Sequence, residues 1–284
     1  MGFPIPPRVM EPILWPAPFA DPAFAWEVKW DGIRLVTYGG LHHLQAVTKG
    51  GRRVEERYPE LAALVGREAV WDGEMVVIRE GKADFPALLS RHRGKSRLPA
   101  TYMVFDLLYW KGKDLRPLPY EDRRLLLAEV FPRPGDAIAP VDAFPGEQGR
   151  DLFGAIQVLG WEGLVAKRKD APYRPGPQGT WRKVKAFRVE PFWVGGWLAE
   201  RGSLLLGKET PEGLAYVGRA AYRGGKEPPL RRRTTSPFLS LPSFRETPFF
   251  VDPSHQALIR FLEWTPKGLL RSATFQRWVW DTSR

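Results

Sequence analysis

The pattern of apolar residues and glycines in the sequence changes near residue 188. Beyond this point the chain consists of short apolar segments with frequent glycine, at residues 192–199, 203–207, 214–221 and 257–265. Several short strands within about a hundred residues are typical of a small β-barrel. Because 284 residues are enough for two domains, we predict one domain at 1–188 and a second, barrel-like domain at 189–284.

The first 188 residues mix strand and helix patterns. They begin with a proline-rich arm, either ordered or flexible, at Met1–Pro22. Turn signals at Asp31-Gly32 and Asp72-Gly73 predict that the strands on either side pair as hairpins. Period-2 and apolar runs predict strands, and helical spacing predicts helices. The strands are Ala25–Lys29, Ile33–Tyr38, Leu41–Val47, Ala69–Ile78, Thr101–Trp110, Gly163–Lys169 and Thr180–Phe187, and the helices are Glu55–Val65, a short one from Phe85, Glu121–Val130 and Gly149–Leu159. We therefore expect an α+β fold.

Charge and composition narrow the class of partner. Basic residues number 43 against 32 acidic ones, a net charge of +11, which suggests a polyanion such as nucleic acid. The absence of cysteine excludes a disulfide framework and a Cys-ligated zinc site. No signal peptide or long apolar run is visible, so by default we expect a cytoplasmic, nucleoid-associated protein with no membrane partner.

One lysine, Lys29, occupies a position that favours reactivity. It ends a predicted strand and precedes the Asp31-Gly32 turn, with Arg34 close by. Burial and cationic neighbours lower the pKa of a lysine amine, which can then act as a nucleophile. The alternative is that Lys29 is one of many surface lysines beside a hairpin, so the choice depends on the rest of the chain.

Four further segments carry polar or aromatic side chains within predicted strands. They are Asp72-Gly73-Glu74, Phe105-Asp106-Leu107-Leu108, Glu162-Gly163-Leu164-Val165-Ala166-Lys167 and Trp181-Arg182-Lys183-Val184-Lys185. Alternation puts Lys183 and Lys185 on one side of a strand, where two ammonium groups repel unless an anion lies between them. Taken singly, these segments also fit structural roles, such as an exposed carboxylate or a core aromatic. The run Gly202–Lys208 has phosphate-loop spacing, but Glu209 replaces the required Ser or Thr and the intervening leucines indicate a strand.

The order of these segments resembles that of a known enzyme superfamily. Lys29–Arg34 (KWDGIR) resembles the nucleotidyl-lysine motif KxDGxR of ATP-dependent DNA ligases, RNA ligases and mRNA-capping enzymes. The four later segments resemble the DGE, FDLL, EGxVxK and WxKxK elements of the same superfamily. The resemblance covers nearly the whole chain and is closest to the short bacterial ligases associated with end joining. It implies an adenylation domain of antiparallel sheets flanked by helices, followed by an OB-fold β-barrel.

The resemblance also implies roles for individual residues. Lys29 would be the nucleophile that takes up AMP from ATP, and Glu162 would help to hold Mg²⁺, for which Mn²⁺ can substitute. The other residues would bind the nucleotide: Glu27 at the adenine edge, Phe105 on the adenine face, Arg34 and Glu74 at the ribose, Lys167, Lys183 and Lys185 at the phosphates, and Lys49 as a further cation.

Two positions depart from the pattern of the family. Lys49 stands where most relatives have Arg, which keeps the charge but loses the bidentate fork. The family ends its OB domain with RxDK, which orients the outgoing pyrophosphate, whereas this chain has Val279-Trp280-Asp281-Thr282. Unless Arg277 or Arg284 substitutes, we expect slow self-adenylation.

The resemblance leads us to expect an ATP-dependent DNA ligase that acts in DNA repair. Lys29 would be adenylated, the AMP would pass to the 5′-phosphate at a nick, and the 3′-hydroxyl would displace it. We expect a monomer whose partner is nicked duplex DNA, with a DNA-end-binding protein or a repair polymerase as a further partner. The run Arg231-Arg232-Arg233 is either part of a basic wall against the duplex or a solvated loop. Two alternatives remain open: an RNA ligase or capping-type guanylyltransferase, and a catalytically idle nucleic-acid-binding module.

Overall fold

A computed structural model of the chain describes residues 8–131, 135, 137–222, 230–265 and 267–279. The chain divides into two compact units, Met1–Ala186 and Phe187–Arg284, called here the first and the second unit. Within the described ranges, no helix has both the length and the apolar character needed to span a membrane.

The first unit is rich in sheet. Its strands are β1 (Met10–Leu14), β2 (Phe24–Val28), β3 (Ile33–Gly39), β4 (Leu44–Thr48), β5 (Ala69–Val76), β6 (Ile78–Arg79), β7 (Lys82–Ala83), β8 (Thr101–Trp110), β9 (Lys113–Asp114), β10 (Ile138–Pro140), β11 (Ala143–Pro145), β12 (Gly163–Arg168) and β13 (Gly176–Lys185). Its α-helices are α1 (Phe85–His92), α2 (Tyr120–Val130) and α3 (Gly149–Leu159), and short 3₁₀ turns occur at Glu55–Arg57, Pro59–Leu64 and Gly146–Gln148.

Two sheets organise these strands. Sheet one has the order β1-β13-β12-β2-β11, and sheet two has the order β10-β8-β5-β3-β4, with β9 added to β8. Neighbouring strands are antiparallel except at β1–β13 and β10–β8. The continuous apolar run of β8 is buried along most of its length, as expected for a strand covered on both faces. Its single acid, Asp106, forms a fully buried bidentate pair with Arg123 of α2, which joins that helix to the sheet.

The predicted hairpin around Lys29 is wrong. Strand β2 pairs with β11 and β12 in sheet one, whereas β3 pairs with β4 and β5 in sheet two. Residues 29–32 therefore cross from one sheet to the other instead of turning back. Gly32 makes this crossing close to β5, because a Cβ atom there would lie 2.2 Å from the carbonyl oxygen of Met75. A local strand pattern identifies the strands but not their partners.

The predicted turn at Asp72-Gly73 is also wrong. Strand β5 runs without a break through both residues, and its pairing with β8 shifts register twice, between Val70 and Trp71 and between Asp72 and Gly73. Asp72 is fully buried because its carboxylate pairs with Arg34 of the neighbouring strand. At Gly73 a Cβ atom would lie 2.6 Å from the carbonyl oxygen of Met103, so the glycine permits close strand approach.

Two more predicted elements differ from the structure. The segment Glu55–Val65 forms two 3₁₀ turns and not an α-helix, because Tyr58 has non-helical dihedral angles and Pro59 follows it. In the proline-rich arm, residues 1–7 lie outside the described ranges, and β1 is an ordered strand paired with β13. By contrast, β8 and α3 have the predicted limits.

The second unit is built around a ring of strands. Its strands are β14 (Arg188–Leu198), β15 (Ser203–Thr210), β16 (Gly213–Ala221), β17 (Arg232–Arg233), β18 (Phe249–Val251), β19 (Gln256–Phe261), β20 (Glu263–Trp264), β21 (Leu270–Arg271) and β22 (Thr274–Val279). Successive pairings β14–β15–β16–β22–β19 return to β14 and close the ring. Inward-facing apolar side chains such as Val194, Leu204, Ile259 and Phe261 are fully buried inside it.

Candidate active site

A cavity of about 210 Å³ in the first unit is lined by both sheets. Sheet one and the residues next to it contribute Glu11, Pro12, Glu27, Val28, Lys29, Trp30, Val165, Lys167, Trp181 and Lys183, and sheet two with the turn after β4 contributes Arg34, Lys49, Glu74 and Phe105. Every predicted site residue except Glu162 and Lys185 lines this cavity. Glu162 is joined to the cavity by its ion pair with Lys29, and Lys185 pairs in turn with Glu162.

Lys29 is held at the cavity by an acid from sheet one. Its Nζ atom lies 2.6 Å from Oε2 of Glu162, and its backbone N–H donates to the carbonyl oxygen of Gly163. The other carboxylate oxygen, Oε1, lies 3.0 Å from Nζ of Lys185. Burial acts to raise the pKa of Glu162, but the two ammonium groups outweigh it and hold that pKa below its usual value. The carboxylate is therefore ionised and fixes Lys29 in one place.

A second lysine of β13 adds positive charge beside this pair. Lys183 is partly buried in the cavity wall and has no ion pair with any described residue. Burial lowers the pKa of Lys183, and the charges on Lys29 and Lys185 lower it further. As the alternation of the WRKVK segment predicts, Lys183 and Lys185 lie on the same side of β13, close enough for the charge of Lys185 to act on Lys183. Two of the three ammonium groups, those of Lys29 and Lys185, share the carboxylate of Glu162, and the third, that of Lys183, has no such partner among the described residues, an arrangement that favours the binding of an anion.

Arg34 lines the cavity and is held by a buried acid. Its guanidinium forms a bidentate pair with the buried carboxylate of Asp72, at 2.9 and 2.6 Å. The hydroxyl of Tyr173 donates to the same carboxylate at 2.7 Å and accepts from the backbone N–H of Met10. Burial acts to lower the pKa of Arg34, but Asp72 outweighs it and raises that pKa. The guanidinium also lies 5.2 Å from the ring centroid of Phe105, so a fixed cation sits beside this ring.

Glu27 and Lys167 form a buried pair in the wall of the cavity. Nζ of Lys167 lies 2.7 Å from Oε2 of Glu27, and the hydroxyl of Tyr120 donates to Oε1. The same ammonium donates to the carbonyl oxygen of Phe105 and lies 4.3 Å from the ring of Trp181. Burial lowers the pKa of Lys167, and Glu27 opposes this shift. Lys167 is only 1% exposed, so here it is engaged by protein groups on several sides.

Two charged residues complete the cavity wall. Lys49 is exposed and pairs with Glu11 of β1 at 2.7 Å, which lowers the pKa of that carboxyl. Glu74 stands opposite Arg34 in the strand register. Burial raises the pKa of Glu74 to about 8, although Lys29 and Arg34 oppose this. Near neutral pH this carboxyl is therefore largely protonated, and it can donate as well as accept a hydrogen bond.

The donor set suits one weakly coordinated divalent cation. Among the described residues, no group of three or more acidic or histidine side chains could hold a metal by itself. Mg²⁺ commonly binds one or two carboxylates and completes its shell with water and substrate phosphates. Glu162 offers such a ligand beside the positive charges of Lys29 and Lys185. Its charge also helps to raise the pKa of Glu74, so the two carboxyl groups lie close enough to interact.

Sequence reasoning missed several residues that shape the site. Tyr120 and Tyr173 bind Glu27 and Asp72 across 93 and 101 residues of chain, and no local pattern marks such contacts. Glu11 lies in the arm that carried no strand signal. Of the RxDK region, Val279 ends β22 and Arg277 lies opposite Leu258. Trp280, Asp281, Thr282 and Arg284 lie outside the described residues.

Comparison with known proteins identifies the family. The family model described as "ATP dependent DNA ligase domain" matches residues 17–185. The chain is 32% identical over 277 residues to the multifunctional non-homologous end joining DNA repair protein LigD of Mycobacterium tuberculosis, covering 89% of this chain and 36% of that protein. It thus spans about a third of the length of this protein and of the LigD of Pseudomonas aeruginosa.

Solved structures give the same result. The crystal structure of the ligase domain of M. tuberculosis LigD is 31% identical, with a TM-score of 0.59, and the match covers 96% of this chain and 94% of that one. A mycobacterial DNA ligase D complexed with ATP and MES is also 31% identical, with a TM-score of 0.59 and coverage of 97% and 95%. This chain therefore belongs to the ATP-dependent DNA ligase domain family.

Proposed function

We propose that this chain seals nicks in duplex DNA through a covalent lysyl-AMP intermediate on Lys29. The amine attacks the α-phosphate of ATP and releases pyrophosphate. The AMP then passes to the 5′-phosphate at the nick, and the 3′-hydroxyl attacks that phosphate and releases AMP. The observation that carries this proposal is the fixed position of Lys29, 2.6 Å from Glu162, at a cavity that also contains Lys183, Arg34 and Phe105.

Electrostatics supports the first step. Attack requires a neutral amine, and every phosphate oxygen brought to the cavity adds negative charge. Burial lowers the pKa of Lys183, and repulsion by Lys29 and Lys185 lowers it further, so this group of lysines favours the binding of an anion such as a triphosphate. Lys183 and Lys185 then offset the charge of the phosphates. A divalent cation held by Glu162 would supply further charge neutralisation at the transferred phosphate.

The cavity walls suit a purine nucleoside. Phe105 offers a ring face for the base. Arg34 and Glu74 lie opposite each other on neighbouring strands. The guanidinium of Arg34 can donate hydrogen bonds to the ribose, and the carboxyl of Glu74 can donate or accept them. Glu27 and Lys167 lie in the same wall and would face the edge of the base. In the structure Lys167 pairs with Glu27, and the contact of Lys167 with the phosphates of ATP remains a prediction.

We assign the domains on the same basis. Residues 1–188 would form the adenylation domain, with antiparallel sheets and flanking helices. Residues 189–284 would form the OB-fold, because their closed five-stranded ring has the compact barrel form used for oligonucleotide binding. We further propose that the chain works as a monomer in end-joining repair on DNA in the cytoplasm, with an end-binding protein or a repair polymerase as partner. The similarity to end-joining proteins supports this pathway.

Covalent labelling tests the first step. With α-labelled ATP and Mg²⁺, the wild-type protein should acquire label and Lys29→Ala should not. Lys113→Ala, at an exposed lysine on β9, is the matched control and should label like wild type. Equal labelling of Lys29→Ala would reject the proposal.

Nick sealing tests the later steps. Wild type should seal a DNA nick with ATP, and should lose activity when GTP replaces ATP or when an RNA nick replaces DNA. Efficient sealing of an RNA nick, or labelling by GTP, would instead indicate an RNA ligase or a capping-type enzyme. Sealing of a preadenylated DNA nick without ATP would separate slow self-adenylation from an idle pocket.

A further inference from the structure

An ion pair joins the two sheets in the wall of the cavity of the first unit. Oε2 of Glu11, on β1 of sheet one, lies 2.7 Å from Nζ of Lys49, in the turn after β4 of sheet two. Both residues line the cavity. Lys49 is one of the cations expected to bind the nucleotide, whereas Glu11 precedes residue 17, where the match to the family model begins. Glu11 thus adds a negative charge at a place where the proposed function calls for positive charge.

Glu11 is more exposed than the other acids that hold cations at this cavity. The side chains of those other acids are at most 6% exposed, and they are Asp72, Glu27 and Glu162. By contrast, the side chain of Glu11 is 34% exposed and that of Lys49 is 57% exposed. An ion pair that is open to solvent contributes little to stability, because water can replace either partner. The carboxylate of Glu11 can therefore leave Lys49 at small cost, whereas the buried acids cannot leave their cations.

The charge of Glu11 acts on several of the cations that line the cavity. The hydrogen bond from Lys49 lowers the pKa of Glu11, and the charges of Lys49, Arg34 and Lys183 add to this shift, which burial opposes. Glu11 is therefore ionised near neutral pH. Its negative charge in turn reduces the positive potential that a phosphate group would meet at Lys49 and Lys183.

A carboxylate and a phosphate make the same kind of contact with an ammonium group, since each offers charged oxygen acceptors. Two such anions on one ammonium group repel each other. We propose that Glu11 competes with the triphosphate of ATP for Lys49, an inference that rests on the proposed function and adds regulation to the same site. When the phosphates bind, Lys49 passes from Glu11 to a phosphate oxygen and Glu11 turns to solvent. When pyrophosphate leaves, Glu11 pairs with Lys49 again, so Glu11 weakens substrate binding and helps the product to leave.

Binding of inorganic triphosphate provides the test, because it needs no chemical step. It is measured by titration calorimetry on the whole chain, shown by intact mass to carry no AMP, in metal-free buffer at about 50 mM salt, where screening of exposed charges is weak. Glu11→Gln keeps the shape of the side chain and removes its charge, and it should bind triphosphate about two- to tenfold more tightly than wild type. The matched control is Asp170→Asn, at an exposed acid that pairs with Arg168 at 2.7 Å and does not line the cavity. It removes the same charge from the same unit and should bind like wild type.

A double-mutant cycle tests whether Glu11 acts through Lys49. In a protein that already carries Lys49→Gln, the further change Glu11→Gln should alter triphosphate binding by less than about twofold, because the shared partner is gone. Labelling kinetics give a second readout. Glu11→Gln should lower the KM for ATP and the concentration of pyrophosphate that halves labelling, both by about two- to tenfold. All variants should unfold at the wild-type temperature, because the changed positions are exposed.

Each outcome supports or overturns the competition. Weaker binding in Glu11→Gln would show that Glu11 holds Lys49 in place for the nucleotide, and unchanged binding would show that Glu11 takes no part; either result overturns the proposal. An equal gain in Asp170→Asn would reduce the effect to net charge and overturn it as well. A wild type that is labelled by ATP but does not respond to Glu11→Gln rejects only this inference. A wild type that binds triphosphate, responds to Glu11→Gln and is never labelled by ATP rejects the proposed function and leaves the competition for the anion standing.

Discussion

At the scale of single residues, Glu74 is the acid whose pKa the site raises most clearly. Its pKa rises from 4.5 to about 8 because burial opposes its charge. Between these two values the folded protein keeps a proton that the unfolded chain gives up. The stability that Glu74 contributes is therefore complete below the lower value and is lost as pH rises through the higher one.

Replacement of this acid should remove that pH dependence. We expect Glu74→Gln to be more stable than wild type at alkaline pH, with a difference that grows between about pH 5 and pH 8, by up to about 1.4 kcal/mol for each unit of pKa shift. Thermal unfolding in nucleotide-free and metal-free buffer measures the difference. Glu80→Gln, at an exposed position, should follow wild type, and a constant offset between the Glu74 variant and wild type would contradict the assignment.

Tyr173 is a second residue whose replacement should affect both stability and nucleotide binding. Its hydroxyl joins Asp72, which holds Arg34, to the backbone of β1. Tyr173→Phe leaves the N–H of Met10 without its acceptor and should lower the free energy of unfolding by about 1 to 3 kcal/mol. Because Arg34 loses part of its support, we expect a higher KM for ATP in self-adenylation with a nearly unchanged kcat. A lower kcat at unchanged KM would mean that Tyr173 acts on the chemical step and not on nucleotide binding.

At the scale of elements, the crossing at residues 29–32 matters most, because it brings Lys29 of sheet one and Arg34 of sheet two to the same cavity. Gly32 is the residue at which the crossing passes closest to β5. Gly32→Ala should force the crossing away from β5 and cost about 1 to 3 kcal/mol, the usual penalty of overpacking. We also expect a large loss of ATP-dependent labelling, because the displaced segment carries Lys29.

A nearby glycine provides the control for this prediction. At Gly50 the nearest atom to an added Cβ, Oγ1 of Thr48, would be 4.0 Å away, so Gly50→Ala should unfold and label like wild type. Unfolding temperature and label incorporation, measured on both variants, make the comparison. A Gly32→Ala protein with wild-type stability and labelling would show that the path of the crossing is not critical.

The same elements show what sequence reasoning could reach. The strands β8 and β12 and the helix α3 could be predicted because their apolar patterns are local and strong. The strand β13 begins at Gly176, four residues before the predicted Thr180. The partner of β2 could not be predicted, because Phe24–Val28 looks the same beside β3 as beside β12. The turn signal at Asp31-Gly32 therefore predicted a hairpin, whereas the chain passes from one sheet to the other at this point.

At the scale of the whole molecule, motifs that are far apart in the chain line one cavity. The contacts that hold them there cannot be recognised in the sequence. Lys29, Glu74, Phe105 and Lys183 could be selected because each stands in a recognisable short motif. Tyr120 could not, since it binds Glu27 from a helix 93 residues away. The order of the motifs predicts which side chains line the cavity. The residues that hold those side chains in place come from distant parts of the chain and belong to no motif.

The most direct test of the account is the site of covalent modification. Wild-type protein incubated with ATP and Mg²⁺ should gain the mass of one AMP in intact-mass spectrometry, and peptide mapping should place that adduct on Lys29. An adduct on Lys183, Lys185 or any other residue, or no adduct although nicks are sealed with ATP, would contradict the central claim.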